Sequence, residues 1–217
     1  MTATIQKKDV YRDFGGQQMA NKFKKLAKIY KTGDMIIISF NAENVTISNG
    51  HTVFKMSLYD YKSNLQGLCA GFPAYMESLD GVTLQTFKKG STKEISSKLF
   101  DEVWKIKEET LTAPASPLLF DIDGKYVRSV IYQIDGIAKG MLVNEDYLQA
   151  AKEFLNDSML FRFQDKKSSP LYTKNKYGRE VILLPVFYND DSEFAEVLRT
   201  LTAEAQYSRL KKSGAIA

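Results

Sequence analysis

The side chains that most often carry catalysis are scarce in this chain. His51 is its single histidine and Cys69 its single cysteine. A histidine-based triad, a multi-histidine metal site, a cysteine metal cluster and an internal disulfide are therefore excluded. His51 stands beside the Asn49-Gly50 pair, which is typical of an exposed hairpin residue, and we interpret Cys69 as a small buried hydrophobe.

Three short patterns resemble the start of a site without completing it. Asp121-Ile122-Asp123-Gly124 begins like a calcium loop but lacks the later ligands and the terminal glutamate. Lys89-Gly90-Ser91-Thr92 lacks the leading glycine of a phosphate loop, and Asp190-Asp191 is typical of a helix cap. We therefore expect no cofactor, no metal and no enzymatic activity, and a binding or scaffolding role.

Lysine is the charged residue type whose spacing shows a pattern. In Gln17 to Lys31, apolar residues fall on one helical arc and five lysines fall on the remainder. Lysines recur on three later predicted helices, although the net charge of the chain is only +4. A lysine-lined helical face is typical of a surface that meets phosphates without reading bases. The alternative is that lysine only solvates exposed helix faces.

The elements that carry these lysines follow a repeated order of one helix and then strands. The predicted helices are Gln17 to Lys31, Asp60 to Leu68, Ser91 to Glu109, Asn144 to Leu155, and a tail helix within 190–217 capped by Ser192. The predicted strands are Met35 to Phe40, Val45 to Ser48, Thr52 to Leu58, Val82 to Lys88, Leu118 to Ile122, Tyr126 to Gln133, Ile137 to Val143, Met159 to Phe163, Leu171 to Thr173 and Val181 to Tyr188. Hairpin turns are predicted at Asn49-Gly50, Asp123-Gly124 and Asp135-Gly136. This order predicts an α+β fold with four helix-plus-strands units, two in each half.

Length and hydropathy set the outer limits. A chain of 217 residues holds one large or two modest domains. The longest apolar runs, Val181 to Phe187 and Met35 to Ile38, are too short to cross a bilayer, and Met1 to Asp13 lacks the apolar core of a signal peptide. We therefore expect a cytoplasmic protein that makes no contact with membranes.

A resemblance to a known family runs through the last third of the chain. Glu145 to Lys152, Phe161 to Asp165, Ser169-Pro170-Leu171 and Leu183 to Val186 follow one another as helix, strand, Ser-Pro-aliphatic strand and closing strand. This succession is similar to the closing segment of bacterial DNA sliding clamps. Leu58-Tyr59-Asp60 and the residues after it are similar to the second helix of phage and eukaryotic-type clamps.

The resemblance implies a DNA-clamp-like α+β fold with helices on one face of antiparallel sheets. Its expected parts are an N-terminal domain over 1–90, a C-terminal domain over 91–189 and a helical tail over 190–217. Three such two-domain chains would form a ring around duplex DNA, whose phosphates meet lysines of the inner helices without sequence preference. The candidate DNA-contacting residues are Lys22, Lys25, Lys28, Lys98, Lys105 and Lys152.

The resemblance also implies partners. Clamps recruit a DNA polymerase, and other proteins with clamp-binding peptides, through an apolar pocket, which Leu183, Leu184, Pro185 and Val186 would help to line. A clamp loader is a further expected partner, and the size of the chain suits a phage protein acting in the host cytoplasm. Two features depart from bacterial clamps: Phe187 stands where they have arginine, and the chain continues beyond this strand.

Two other classes of function remain open on the sequence. A monomeric, basic DNA-binding processivity or regulatory subunit would use the same fold without encircling DNA. A metal-dependent nuclease would need three or more convergent carboxylates. The sequence has scattered acids, such as Asp101, Glu102, Asp121 and Asp123, which do not by themselves indicate such a cluster.

Overall fold

A computed structural model describes residues 23–68, 71–88 and 91–212. The helices within this part are α1 Lys24–Thr32, α2 Leu58–Asn64, α3 Leu99–Trp104, α4 Glu145–Leu155 and α5 Glu193–Lys212, with 3-10 turns at Glu77–Leu79 and Lys105–Glu108. The strands are β1 Met35–Asn41, β2 Asn44–Ser48, β3 Thr52–Ser57, β4 Thr83–Phe87, β5 Thr92–Ile95, β6 Leu111–Ile122, β7 Lys125–Ile134, β8 Ile137–Asn144, β9 Leu160–Phe163, β10 Leu171–Lys174 and β11 Glu180–Leu183. The predicted α+β class with antiparallel strands is confirmed.

All the strands belong to one antiparallel sheet with the order β5-β4-β1-β2-β3-β11-β10-β9-β6-β7-β8. The predicted turns close its hairpins: Asp123-Gly124 and Asp135-Gly136 both have positive φ at their two central residues, as a type I′ turn requires. Strand β11, near the end of the chain, lies between β3 and β10, with Val181 opposite Phe54. The pairing of β3 with β11 therefore joins the N-terminal and C-terminal halves of the chain in the middle of the sheet.

Helices α1 and α4 cover one face of this sheet, which we name the helix-pair face. Leu26 and Tyr30 of α1, with Phe154 of α4, are buried there against alternate residues of the strands, such as Phe54 and Val181. The ring of Phe154 lies 5.1 Å from that of Phe23 and 5.2 Å from that of Phe54. Because apolar residues recur at three- and four-residue spacing, each helix presents one apolar stripe to the core.

The two helices belong to similar units. Helix α1 precedes the adjacent strands β1, β2 and β3, and α4 precedes the adjacent strands β9, β10 and β11. Helix α4 begins where the side chain of Asn144 accepts hydrogen bonds from the backbone N–H groups of Asp146 and Tyr147, and it ends at Asn156 in the left-handed conformation. These are the boundaries predicted from the sequence.

The opposite face of the sheet is also covered. Ile37, Val53 and Ile182, which alternate with residues of the helix-pair face, pack against Phe100 and Ile106 of the segment 97–108. Helix α5 packs farther along, against Leu142 and its neighbours on β6 to β8. The expectation that the helices of the four units lie on one face is thus correct for α1, α2 and α4 and wrong for α3, while α5, the predicted tail helix, covers the opposite face.

Four elements differ clearly from the predictions. Strand β6 begins at Leu111 and not at the predicted Leu118, because Leu111 to Pro114 pair with β9. The single helix predicted over Ser91 to Glu109 is divided into β5, α3 and a 3-10 turn, because Thr92–Ile95 pairs with β4. As a result Leu99, predicted to face inward, is 48% exposed, and Phe100 is buried instead. The strand predicted over Val181 to Tyr188 ends at Leu183, since Pro185 has no N–H to donate, and a single bridge follows at Val186. The helix predicted over Asp60 to Leu68 is shorter and earlier, because the side chain of Ser57 caps it from the N-terminal side.

Some predictions fall wholly or partly on residues outside the described part. They include the start of the first helix at Gln17, the contact at Lys22, the burial of Cys69, the Lys89-Gly90 pair, and the ends of the chain in Met1 to Asp13 and beyond residue 212. The predicted division at residue 90 lies between β4 and β5, which are paired neighbours in the sheet. No helix in the described ranges is both long and apolar enough to cross a membrane.

Candidate nucleic-acid interface

Helices α1 and α4 lie side by side in opposite directions. At the start of α1, the backbone N–H of Lys25 donates to Oε1 of Glu153 (2.9 Å), near the end of α4. At the other end of the pair, the hydroxyl of Tyr30 donates to the carbonyl of Ile47, and the ring of Tyr147, near the start of α4, stacks 6.2 Å from that of His51 on the same hairpin. The pair therefore forms one ridge on the sheet.

Exposed lysines line this ridge. Lys24, Lys28 and Lys31 follow one another at spacings of four and three, so they form one stripe on the solvent side of α1. Lys152 is exposed on α4. Lys25 is exposed as well, but its ammonium group donates to Gln149 across the helix pair at 3.3 Å. A stripe of flexible, solvated ammonium groups suits diffuse contact with a polyanion.

The turn between β10 and β11 lies against the C-terminal end of α4. The side-chain amide of Asn175 donates to the carbonyl of Leu155 (2.7 Å), which fixes the turn at the C-terminus of the helix. Lys176 of this turn is exposed. Lys174, the last residue of β10, alternates with Thr173 and therefore lies with Tyr172 and Glu180 on the opposite face of the sheet.

Arg179 locks the same corner of the molecule. Its guanidinium makes two hydrogen bonds of 2.9 Å to the carboxylate of Asp60 and a third, of 3.0 Å, to the carbonyl of Phe154. It also lies 4.9 Å from the ring centre of Phe23. Because the planar guanidinium is engaged on its edge and on its face, we interpret Arg179 as a positioning residue for α1 and α4 and not as a phosphate contact.

A cleft of about 730 Å³ borders α4 on the side of β6. It is lined by Leu148, Gln149, Lys152, Arg128 and by residues on either side of them, including Ser116 and Met159. Arg128 donates two hydrogen bonds, of 2.8 and 2.9 Å, to the carboxylate of Glu145. The hydrogen bonds from Arg128 lower the pKa of Glu145 below its ordinary value and outweigh the opposite effect of burial; Gln149 adds a further hydrogen bond. The cation at this wall is therefore neutralised, and the exposed charges of the cleft are those of Lys152 and Asp157.

We expect the ion pair of Arg128 and Glu145 to make the free energy of unfolding depend on pH. Because the pKa of Glu145 is lowered in the folded state, its contribution is complete above the ordinary value of 4.5 and is lost as the pH falls through the folded-state value. At neutral pH, Glu145→Gln should cost about 1 kcal/mol of unfolding free energy, the size of a partly screened ion pair. Urea unfolding of both proteins at several pH values checks this, and the gap between them should close in acid. A gap of equal size at neutral and acidic pH would contradict the assignment.

The six lysines predicted to contact DNA do not share one surface. Lys25, Lys28 and Lys152 lie together on the ridge of α1 and α4. Lys98 and Lys105 are exposed in the segment 97–108, on the opposite face of the sheet. Lys22 lies outside the described residues. The sequence pattern placed Lys98 and Lys105 on an inner helix, and the division of that helix removes the reason for grouping them with the others.

The four residues predicted to line a peptide pocket are also separated. Leu183 is fully buried on the helix-pair face, whereas Val186 packs with the cluster of β6 to β8 and α5. Leu184 is 36% exposed, and its backbone N–H donates to the carbonyl of His51. Just beyond them, Phe187 is 80% exposed at a groove of about 530 Å³. The groove has the aromatic residues Phe120, Tyr188 and Phe194 in its walls and the acids Asp121, Asp123, Asp191 and Glu193 around them.

Sequence reasoning missed two parts of this surface. Lys24 and Lys31 are two of the five lysines of the first predicted helix and are not among the candidate contacts, although they share the stripe of Lys28. Lys176 gave no signal, because hydrogen bonds from Asn175 to Leu155 and from Arg179 to Phe154 bring its turn to α4. Contacts between residues that are distant in the chain have no counterpart in local periodicity.

Comparison with known proteins identifies no family. No protein-family model matches the chain. No curated protein matches it either. Within the described ranges, no group of three or more His, Cys, Asp or Glu side chains is arranged to hold a metal ion.

Proposed function

We propose that this chain is a non-enzymatic DNA polymerase processivity factor of the sliding-clamp type, which holds duplex DNA against the ridge of α1 and α4. The observation that carries the proposal is this antiparallel helix pair, with lysines on its outer side and a continuous sheet beneath it. The repeated order of one helix and three adjacent strands, seen in α1–β3 and α4–β11, supports the clamp-like arrangement.

The chemistry of the ridge suits sliding. Lys24, Lys28, Lys31 and Lys152 are solvated point charges on flexible stems, so they attract phosphates without fixing a register. Each neutralised phosphate releases a counterion, so binding should weaken steeply with salt and depend little on base sequence. A protein that holds DNA in this way slides because no contact is specific to one position.

The proposal has two forms, which differ in the number of chains that hold the DNA: a ring of several chains, or a monomer. The trimeric ring expected from the sequence rests on two domains in each chain, each with its own helix pair. In the part of the chain that the structure describes, α1 and α4 pack on each other, while α2 contacts β2 and β3, and α3 contacts the 3-10 turn that follows it. A single such helix pair within the described residues favours the alternative, a basic-face binder that acts as a monomer, or a ring of more than three chains.

Solution mass and DNA retention decide between these forms. Light scattering over a range of concentrations gives the number of chains, and a duplex that is either circular or linear tests encirclement. A ring should stay on circular DNA at a salt concentration that releases it from linear DNA, because topology and not charge then retains it. A monomer should bind and leave both forms alike. If neither form of duplex binds at low salt, the proposed function is wrong.

We place the site for partner proteins on the side of the sheet opposite the ridge of α1 and α4. We propose that a polymerase peptide docks beside Leu184 and Phe187, at the groove that continues to Phe120 and Phe194. Exposed aromatic and aliphatic side chains at a groove are typical anchors for a peptide. The surrounding carboxylates favour a peptide with basic residues next to its apolar anchor. A clamp loader is required only if the ring form is correct.

A further inference from the structure

The groove beside Phe187, which we name the Phe187 groove, has packed walls. It lies between the β6–β7 hairpin, the chain that follows β11 and the start of α5. The ring centre of Phe194 lies 5.2 Å from that of Phe120 and 4.8 Å from that of Tyr188. The hydroxyl of Tyr188 donates in turn to the carbonyl of Gly140 (3.0 Å). Because its walls are already held in place, a ligand does not have to order this groove when it binds.

The rim of the groove differs from its walls. Phe120, Tyr188 and Phe194 are buried, whereas Phe187 is 80% exposed. The space between them, about 530 Å³, is large enough for a few side chains of a peptide. A large apolar side chain left in solvent beside a preformed groove marks a surface for contact.

The charge at the groove has one sign. The charged residues among the described ones that line it are all acidic, namely Asp121, Asp123, Asp191 and Glu193. Asp121 accepts a hydrogen bond from the backbone N–H of Gly124 (2.8 Å), and the other three carboxylates form no ion pair with any described residue. Four exposed carboxylates without a cation give this groove a negative potential, which favours a basic ligand.

The sequence contains a segment of matching chemistry near its N-terminal end. Residues 1–22 lie outside the described residues. Within them, the segment 5–12 combines three apolar residues with three basic residues and one acid, a net charge of +2: Ile5, Val10, Tyr11, Lys7, Lys8, Arg12 and Asp9. The segment 213–217, at the other end of the sequence, has no basic or aromatic residue. Of these two segments, only 5–12 complements both the aromatic walls and the carboxylates of the groove.

The segment 5–12 is also long enough to reach the groove of its own chain. The ring centre of Phe23, where the described chain starts, lies 4.9 Å from the guanidinium of Arg179. Phe187 follows Arg179 by eight residues, so their backbones are separated by at most about 30 Å. Tyr11 precedes Phe23 by twelve residues, which span up to about 40 Å when extended. The difference leaves room for a path around the sheet.

We propose that the segment 5–12 occupies the Phe187 groove of the same chain in the free protein. Tyr11 packs against the exposed ring of Phe187, and Lys7 and Lys8 lie beside the carboxylates. A partner peptide must then displace this segment before it can dock, so the segment sets a threshold for recruitment. This regulatory role rests on the proposed function, in which a partner docks at the groove, whereas the occupancy itself does not.

The occupancy is tested by paramagnetic broadening in nuclear magnetic resonance spectra of the full-length chain. A nitroxide is attached at Thr4→Cys in a Cys69→Ser background, with circular dichroism confirming the fold. The amide signals of Phe187 and Asn189 should be broadened and should recover when the nitroxide is reduced. In a mixture of nitroxide-labelled chains without ¹⁵N and ¹⁵N-labelled chains without nitroxide, these signals should stay sharp, because the segment binds within its own chain.

The charges are tested from both sides of the contact. Lys7→Glu/Lys8→Glu should lower the ratio of bound to free segment by about tenfold, the combined effect of two exposed ion pairs that become repulsions. Asp123→Asn/Asp191→Asn should reduce the broadening as well. Its matched control is Asp80→Asn/Asp135→Asn, which removes the same charge from two exposed residues outside the groove. Asp135 has φ 53° in the next hairpin and Asp123 has φ 51°, so asparagine suits both positions equally. The control should leave the broadening unchanged.

Competition for the groove is tested with a fluorescent synthetic peptide that copies residues 3–14. Fluorescence anisotropy should show that the Lys7→Glu/Lys8→Glu chain binds this peptide up to about tenfold more tightly than the unmodified chain. The reason is that a tethered segment competes at a high effective concentration, and the variant weakens that competitor.

Four results would overturn the proposal. They are sharp groove signals in the singly labelled chain, equal broadening in the mixed sample, equal effects of the two Asp→Asn double variants, and equal peptide affinity of the variant and unmodified chains. Equal broadening in the mixture would assign the contact to a second copy. All these measurements are made without DNA or polymerase. Their failure leaves the ridge of α1 and α4 as the DNA-binding face, whereas a chain that binds no duplex loses the proposed function and keeps the occupied groove.

Discussion

Reversing the charges of Lys28 and Lys152 together should weaken binding to linear duplex DNA by about a hundredfold at low salt. Both ammonium groups are exposed on the ridge of α1 and α4, so each reversal replaces a phosphate contact by a repulsion. The plot of log affinity against log salt should also become shallower by about two, since each lost phosphate contact removes about 0.9 from its slope. Fluorescence anisotropy of Lys28→Glu/Lys152→Glu over a series of salt concentrations measures both effects.

The matched control carries the same change of charge on the other face. In Lys98→Glu/Lys105→Glu, two exposed lysines of the segment 97–108 are reversed, and the helix pair is left intact. This variant should keep its affinity to within a few-fold, because only the long-range field of the protein changes. Equal losses in the two double variants would mean that net charge, and not the ridge, determines binding.

Replacing Phe154 with alanine should lower the free energy of unfolding by about 3–5 kcal/mol. The side chain is fully buried, and its ring touches those of Phe23 and Phe54, so the substitution leaves a cavity where α1, α4 and β3 meet. Nearby, the guanidinium of Arg179 lies 5.6 Å from the centre of the same ring. The loss should be measured by urea unfolding, with the midpoint shifted and the slope unchanged.

Phe187→Ala is the control for the loss of stability expected in Phe154→Ala. The same atoms are removed from a side chain that is 80% exposed, so stability should stay within about 0.5 kcal/mol of the unmodified protein. At the same time, the proposed docking of a polymerase peptide at the groove of Phe187 should weaken. A large loss of stability in Phe187→Ala, or a small one in Phe154→Ala, would contradict the assignment of these aromatic rings to groove and core.

The sequence predicts the elements of this fold best where local chemistry determines them. Asn144 and Asn156 mark the two ends of α4 because their side chain and backbone conformation act on the adjacent turn. The Asp123-Gly124 and Asp135-Gly136 pairs determine their hairpins for the same reason. In these places the physical cause lies within a few residues, and a single sequence is enough to find it.

Predictions fail where a distant segment decides the outcome. Thr92–Ile95 fits a helical pattern with Leu99, but pairing with β4 makes it a strand and shifts the buried position to Phe100. The same change moves Lys98 and Lys105 away from the ridge. Conversely, the turn that carries Lys176 is held at the end of α4 by hydrogen bonds from Asn175 and Arg179. The composition of a surface is a tertiary property, so local periodicity could neither assign Lys176 to the ridge nor remove Lys98 and Lys105 from it.

Because β11 lies between β3 and β10, the sheet cannot be completed until late in translation. Thr52–Ser57 leaves the ribosome more than a hundred residues before its neighbour Glu180–Leu183. Until then, β3 exposes one edge, and the apolar residues Val53 and Phe54 next to it lack their final contacts. During translation, the N-terminal half of the chain therefore has an unpaired strand edge. An unpaired edge of this kind favours aggregation. We therefore expect the pairing of β3 with β11 to be a slow step of folding, because the two strands are far apart in the chain.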